Sequence, residues 1–327
     1  MKKSLLALAV LGAFAGAASA QSSVTIYGLL DQGIYKGNGG GATNPGANGL
    51  SKAWQVKQAA GSRLGFRGNE DIGGGLSAQF QIEHRFTPDD GNAAAVFWAG
   101  RSYVQLTSAA AGAVYLGREY APWFWPAVKS DPFGWDGVGQ ISTHQTALYA
   151  NDNGGSGVRT ANTVGYKSPN MGGLTVQAAV GLGEGSATGG RNTGFNVEYG
   201  AGPIYAAMGF DKIAGGPNDG NSIVNGAFHY DFGVAKAIAY FARGKTGGGE
   251  LTNTDFSLAA SAPVGGGRLK AAFTQLKLDN DDKLKKVGLG YDYPLSKRTN
   301  VYADVGIAAQ KGVDRNNAFA VGLKHTF

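Results

Sequence analysis

The residues of this chain with the most specific binding chemistry are three arginines, Arg63, Arg101 and Arg159. Each lies in a stretch where polar and apolar residues alternate, which is typical of a β-strand with one polar face. Arg63, for example, lies on the face opposite to Leu64 and Phe66, whereas the alternation around Arg159 is less regular. A guanidinium group stays charged and offers five donors in one plane, which fits carboxylate and phosphate oxygens. Arginines gathered on one surface would therefore attract anions.

Three acidic residues are candidates to face these arginines. Glu83 lies on the polar side of a second alternating stretch, and Asp131 and Asp136 lie in the segment 119–140, which is rich in aromatic residues and proline. Opposed basic and acidic surfaces would create a transverse electric field between them. Either aspartate could instead cap a turn, and the sequence does not decide which acid faces the arginines.

Catalytic, metal and cofactor chemistry has little support. A hydrolase would need a nucleophile, a base and an orienting acid in contact, and none of the four histidines lies in a catalytic motif. These are His84, His144, His229 and His325. The acidic run at 279–282 could hold a cation only weakly, and the glycines at 37–41 lack the context of a phosphate loop. We therefore expect no enzyme activity, no cofactor and no metal site.

The clearest structural unit is a hairpin at 61–86. Leu64 and Phe66 in its first half, and Phe80 and Ile82 in its second, alternate with polar residues. The intervening residues 68–75 are rich in glycine and predict the turn. Period-two alternation gives one apolar and one polar face, but it does not reveal whether the apolar face meets another sheet or lipid.

This unit recurs along the chain, which favours one large β-structure. We count sixteen candidate strands, separated alternately by short turns and longer loops. They comprise 23–35, two strands within 61–86, 98–106, 113–118, 158–168, 174–180, 193–199, 204–211, 222–230, 234–243, 251–260, 268–278, 283–293, 301–309 and 317–327.

The first twenty residues predict a signal peptide. Lys2 and Lys3 precede an apolar stretch at 5–17, and Ala18-Ser19-Ala20 forms a small-residue cleavage site. The mature chain is expected to be 21–327. An N-terminal membrane helix is the alternative, but the apolar stretch is too short for one.

Composition is consistent with an exported membrane barrel. The chain has 327 residues, 55 glycines, no cysteine and a formal net charge of +6. Beyond Ala20 no apolar run is long enough for a membrane helix, and the mean hydropathy of −0.16 is compatible with strands that hide lipid-facing residues by alternation. No dense basic run suggests nucleic acid as a partner.

These patterns predict an all-β fold, a sixteen-stranded antiparallel transmembrane β-barrel with short periplasmic turns and longer external loops. A soluble β-sandwich is the alternative, although it would not need the alternation of loop lengths. A barrel of this size encloses water, so charges on its inner wall would set selectivity.

Several motifs resemble those of the general porins of β-proteobacteria. They are 22–28 at the mature start, 62–68 with Glu70-Asp71 and 73–76, Leu116-Gly117-Arg118, and the terminal Phe327. The resemblance covers essentially the whole mature chain. It implies a homotrimeric diffusion porin in the outer-membrane lipid, whose third external loop, 119–140, folds inward to narrow the pore. It also implies that the three arginines form the basic cluster of that constriction.

The predicted function is passive diffusion of small hydrophilic solutes with a moderate preference for anions. A substrate-specific channel for small anionic solutes on the same barrel, and a purely structural or adhesive barrel, remain as alternatives. Saturable flux would indicate the first of these, and the absence of conductance would indicate the second.

Overall fold

Sixteen long antiparallel strands and two short ones form the framework of the molecule. The computed structural model describes residues 23–42, 50–141, 148–149, 157–185, 189–246 and 248–327. The strands are β1 (Ser23–Gly37), β2 (Gln55–Lys57), β3 (Arg63–Gly73), β4 (Leu76–Thr87), β5 (Asn92–Ala93), β6 (Ser102–Ser108), β7 (Gly112–Tyr120), β8 (Arg159–Lys167), β9 (Leu174–Gly181), β10 (Arg191–Ala201), β11 (Ile204–Ala214), β12 (Ser222–Asp231), β13 (Lys236–Thr246), β14 (Leu251–Val264), β15 (Gly267–Lys277), β16 (Lys283–Pro294), β17 (Thr299–Gln310) and β18 (Val313–Thr326).

The sheet closes on itself through the first strand. The first half of β1 pairs with β3 from Ser23 to Leu29, and its second half pairs with β18 from Leu29 to Gly37. Each of the sixteen long strands is hydrogen-bonded to both neighbours, so the predicted sixteen-stranded antiparallel barrel is confirmed and the soluble sandwich is not. Closure leaves no open sheet edge, which is what a strand-built structure requires in lipid.

The distribution of residues across the wall is the reverse of that in a soluble protein. Val24 and Met208 are 66% and 61% exposed, whereas Asp211, Asp255 and Thr274 are fully buried at 0%. Polar residues alternate with apolar ones along each strand, so the polar side chains lie inside and the apolar ones form the outer surface. This inversion identifies lipid as the solvent of the outer face.

The first hairpin has a tighter turn than the sequence predicted. The residues at 68–73 continue β3, and only Gly74 and Gly75 form the turn, both with positive φ (61° and 78°). Two successive positive φ values are those of a two-residue hairpin turn that fits the twist of the strands. Gly68 serves another purpose, because a Cβ there would collide with the Phe80 ring on the next strand.

The connections at the opposite end are long only in the first half of the chain. Residues 38–62, 88–101 and 121–158 connect β1 to β3, β4 to β6, and β7 to β8, whereas β17 and β18 are joined by Lys311 and Gly312 alone. The predicted loop between the last two strands is therefore too long, because β18 begins four residues earlier than expected.

Residues 121–141, which we call the segment after β7, pack against the inward-facing residues of distant strands. This segment contains one short helix, α1 (Phe124–Lys129), which the sequence analysis did not predict. Asn196 of β10 donates to the Pro122 carbonyl oxygen at 2.8 Å, and Asn225 of β12 donates to the Trp123 carbonyl oxygen at 2.8 Å. Trp123, Phe124 and Phe133 of this segment are buried.

Two predictions fall on residues outside the described part of the chain, namely the signal peptide at 1–20 and the position of His144. Across the described ranges, no helix has the length and apolar character needed to cross a membrane.

Candidate functional site

Arg101 forms the centre of a charged network on the inner wall. Its Nε donates to Oε1 of Glu119 at 2.8 Å, and its Nη2 contacts the second carboxylate oxygen of the same residue. Glu119 also accepts a bond from Lys167 Nζ at 3.1 Å. The carboxylate is fully buried and shared by two cations, so the arginine is held in a fixed orientation.

Tyr120 connects three arginines. Nη2 of Arg159 donates to its hydroxyl oxygen at 2.5 Å, and Nη2 of Arg85 donates to the same oxygen at 3.3 Å. The Arg101 and Arg159 guanidinium groups lie 5.9 and 4.3 Å from the centroid of the Tyr120 ring. Arg101 and Arg159, predicted as site residues, are thus brought together by a tyrosine that the sequence analysis did not select.

Glu83 lies within this basic group rather than opposite to it. It accepts a hydrogen bond from Arg85 Nε at 2.8 Å and one from the Tyr27 hydroxyl at 3.2 Å. Its backbone nitrogen donates to the carbonyl oxygen of Arg101 at 2.8 Å. The acid is 3% exposed, so its effect is to hold Arg85 in place while offsetting one charge.

Arg63 joins the group through strand register. Its Cα is directly opposite that of Arg85 in the β3–β4 pair, and both side chains are on the face of the strands that points into the barrel. Five cations of the inner wall of β3 to β8 therefore form one group, Arg63, Arg85, Arg101, Arg159 and Lys167, together with the two carboxylates of Glu83 and Glu119. We call this set the basic wall. Its net charge is positive, and it would attract anions.

The two aspartates of the segment after β7 have different surroundings. Oδ1 of Asp131 accepts the Phe133 amide at 2.9 Å, and Oδ2 accepts the Ile141 amide at 3.1 Å. These bonds connect the two ends of residues 131–141. Asp131 therefore caps a turn, which the sequence offered as the alternative to facing the arginines.

Of the two aspartates in this segment, Asp136 is the one whose protonation changes near neutral pH. Burial raises the pKa of Asp136 to about 7, although the charges of Lys324 and Arg63 act in the opposite direction. The neighbouring acids Asp31 and Asp131 raise it further. The carboxyl group therefore changes charge near neutral pH, and it does so within the electrostatic reach of Arg63.

Glycines on the inner wall let the segment approach closely. A Cβ at Gly288 of β16 would collide with the carbonyl oxygen of Gly139, and one at Gly306 of β17 with that of Val138. The added atom would also meet backbone rather than a flexible side chain, so the neighbouring chain could not easily yield. The segment thus contacts β10 to β12 through its first part and β16 to β17 through its last part.

Part of the basic wall could have been recognised in the sequence. Arg85 lies on the same face of β4 as Glu83, and Lys167 lies on the same face of β8 as Thr163. Simple alternation therefore places both side chains inside the barrel. Glu119 lies on the same face of β7 as Tyr115, so alternation places it inside as well. The register shift opposite Gly117 and Glu119 lies in β8, where an extra residue separates Thr163 from Thr160. The same irregularity explains the poor alternation around Arg159.

Metal ligands are not grouped in the described residues. Among them, no three or more histidine or acidic side chains converge on a position where they could hold a metal ion.

The chain resembles known proteins along almost its entire length. The sequence profile of the family described as Gram-negative porin matches residues 7–312. Outer membrane porin protein 32 of Delftia acidovorans is 35% identical over 346 residues, which span 99% of this chain and 95% of the relative. An outer membrane porin protein of Bordetella pertussis is 30% identical over 397 residues, with 100% of each chain covered.

Solved structures show the same similarity in three dimensions. The anion-selective porin from Comamonas acidovorans has a TM-score of 0.79 and 30% identity, covering 94% of this chain and 100% of that chain. OmpT of Vibrio cholerae in its trimer form has a TM-score of 0.68 with 94% and 99% coverage, and at 15% identity it supports the fold alone.

Proposed function

Because the chain belongs to the Gram-negative porin family, we propose that the basic wall selects anions as small solutes diffuse through the barrel. The chain is an outer-membrane channel for small solutes with a preference for anions. The family, the location and the class of function expected from the sequence are therefore confirmed. The relatives reported above are named as porins, which supports a channel over an enzyme.

One observation carries the proposed mechanism, namely that Arg85, Arg101 and Arg159 all contact the side chain of Tyr120. Three guanidinium groups in one place would repel each other, but the tyrosine oxygen and the carboxylates of Glu83 and Glu119 hold them in position. Their combined positive charge attracts a passing anion. Such preorganised charge favours anions without requiring any conformational change.

The expected size of the preference is moderate. Two unit charges 4 Å apart in water interact by about 1 kcal/mol, so one fixed arginine at that distance separates an anion from a cation by about 2 kcal/mol, roughly thirtyfold at low salt. Salt screens charges beyond about 10 Å at 0.1 M, so the preference should fall as the salt concentration rises. These values suit a general diffusion channel rather than a tight binding site.

The segment after β7 is the proposed opposite side of the constriction. Its contacts with β10 to β12 and β16 to β17 support a path along the inner wall that leads from the basic wall to the other strands. We propose that it folds inward and narrows the lumen, so that solutes pass between the segment and the basic wall. Asp136 would then provide negative charge on the facing side.

The mechanism is tested by the reversal potential across a salt gradient in a planar bilayer. The wild type should be anion-selective. Arg63→Glu should reduce or reverse that selectivity, because the side chain at this position points into the barrel. Lys245→Glu changes the charge by the same amount on the outer face and should have little effect. A cation-selective wild type, or equal effects of both variants, would contradict the arginine mechanism.

Two further proposals concern maturation and assembly. We propose that residues 1–20 are removed on export and that three copies of 21–327 form a homotrimer, as the family resemblance implies. N-terminal sequencing and the molar mass of the detergent-solubilised protein test these points.

A further inference from the structure

A pocket with charges of both signs lies inside the barrel, at the turn end of β15 to β18. It has a volume of about 390 Å³, which is within the range of small-solute sites. Its polar lining residues are Arg268, Asp292, Asn300 and Lys324. Arg268 and Asn300 each precede a buried residue by two positions, namely Lys270 and Tyr302, so this lining is on the face of the strands that points into the barrel. We call this site the mouth pocket.

A buried lysine fixes the carboxylate of the mouth pocket. Nζ of Lys270 lies 2.9 Å from Oδ1 of Asp292 and 3.4 Å from Oδ1 of Asp304. Lys270 is 4% exposed, whereas the Asp292 side chain is 30% exposed, so a solute can reach the acid but not the lysine. Among the residues that the structure describes, none donates a hydrogen bond to Oδ2 of Asp292. Asp292 is therefore held in place with one oxygen still able to accept a hydrogen bond.

The two cations of the mouth pocket are not neutralised by an acid in contact. The Cα of Arg268 is directly opposite that of Asp292 in the β15–β16 pair, yet their side chains form no ion pair. The Cα of Lys324 is directly opposite that of Asp31 in the β1–β18 pair. Oδ1 of Asp31 instead accepts a hydrogen bond from the Tyr302 hydroxyl at 2.7 Å. Within the described part of the chain, neither cation forms an ion pair, so both can bind an anionic group.

We propose that the mouth pocket binds small zwitterions, the chemical class of the free amino acids. The carboxylate of the solute meets Arg268 and Lys324, and its ammonium group meets Oδ2 of Asp292. A guanidinium group matches the two oxygens of a carboxylate, which favours the first contact. The second contact adds a cation to a carboxylate that already accepts one, and Glu119 in the basic wall shows that a single carboxylate can serve two cations.

The basic wall does not offer the same recognition. Its carboxylates, those of Glu83 and Glu119, are buried and accept hydrogen bonds from Arg85 and Arg101, so an ammonium group has no access to them. A solute without net charge is also not favoured by a wall of one sign. The inference rests on the proposed diffusion of small solutes through the lumen, and it adds a class of solute that anion preference does not explain.

Saturation-transfer NMR of the purified mature channel in detergent tests the proposal, with alanine as the probe. The wild type should saturate alanine more strongly than lactamide, an uncharged solute of similar size. The double variant Arg268→Gln, Asp292→Asn leaves the net charge unchanged and should bind alanine at least about fivefold more weakly, because two exposed ion pairs are lost. The matched variant Asp314→Asn, Arg315→Gln removes one exposed charge of each sign at the loop end and should bind alanine as the wild type does.

A single variant separates a zwitterion site from a simple anion site. Asp292→Asn should weaken the binding of alanine but not that of lactate, which has a carboxylate and no ammonium group. Alanine binding that this variant leaves unchanged would overturn the proposal, because the pocket would then recognise the carboxylate alone.

Conductance provides the second measurement. The double variant should keep the anion preference of the wild type, because its net charge is the same and the basic wall is intact, and an open channel also shows that the variant has folded. Unchanged alanine binding in this variant, or equal saturation of lactamide by the wild type, would overturn the proposal. A wild type that proves cation-selective would contradict the proposed function while leaving the alanine result standing, so the two failures are distinguishable.

Discussion

The hydroxyl oxygen of Tyr120 accepts a hydrogen bond from Nη2 of Arg159 at 2.5 Å, and the guanidinium lies 4.3 Å from the centroid of the tyrosine ring. The same ring stacks on Phe124 of α1, with centroids 4.5 Å apart and planes 8° from parallel. One side chain thus joins the basic wall to the segment that faces the opposite strands. Selectivity and the position of α1 should therefore depend on each other through Tyr120.

Replacing Tyr120 by phenylalanine should lower anion preference while the channel remains open. The ring and its contact with Phe124 are kept, but Arg85 and Arg159 lose a shared acceptor, at a cost in stability of about 1 kcal/mol. Tyr291→Phe removes the same atom at the turn end, where the hydroxyl donates to the Val264 carbonyl oxygen at 2.8 Å. Reversal potential should change for the first variant alone, and equal values for the two would contradict the positioning role.

Neutralising Glu119 should raise anion preference and reduce stability together. In Glu119→Gln, Arg101 and Lys167 lose the buried carboxylate that they share, so the wall becomes more positive. Breaking a buried ion pair typically costs about 3 kcal/mol. Thermal unfolding and reversal potential measure the two effects. Glu70→Gln, at an exposed position, serves as the control, and a fall in anion preference in Glu119→Gln would contradict the assignment.

Selectivity should depend on pH near neutrality through Asp136. Its pKa is raised to about 7, so the carboxyl group is neutral at pH 6 and negatively charged at pH 8. A negative charge near Arg63 opposes anions, and anion preference should therefore be greater at pH 6 than at pH 8. Asp136→Asn should retain the pH 6 selectivity at both values. A variant as pH-dependent as the wild type would assign the titration to another group.

An added methyl group at Gly306 should move the segment after β7. A Cβ there meets the carbonyl oxygen of Val138, so Gly306→Ala should displace residues 137–139 from the wall and change single-channel conductance. At Gly226 the nearest atom to an added Cβ is the Ala207 carbonyl oxygen at 3.8 Å, so Gly226→Ala should conduct as the wild type does. Identical conductance in both variants would argue against a segment inside the lumen.

Alternation alone predicted the sixteen strands and the inward placement of Arg63 and Arg101. It failed in β8, where an extra residue between Thr160 and Thr163 shifts the register against β7 and reverses the faces of the chain. It also misjudged residues 68–73, because glycine there indicated a turn. In the structure, Gly68 leaves room for the Phe80 ring within a continuing strand.

The sequence by itself determined the barrel, since period-two patterning depends only on which face of each strand meets lipid. Tertiary structure alone decided that Tyr120 collects Arg85, Arg101 and Arg159, and that Glu83 stands among the cations rather than opposite to them. The physical reason is that these contacts join residues far apart in the chain, and their distances are set by strand register and barrel closure rather than by local alternation.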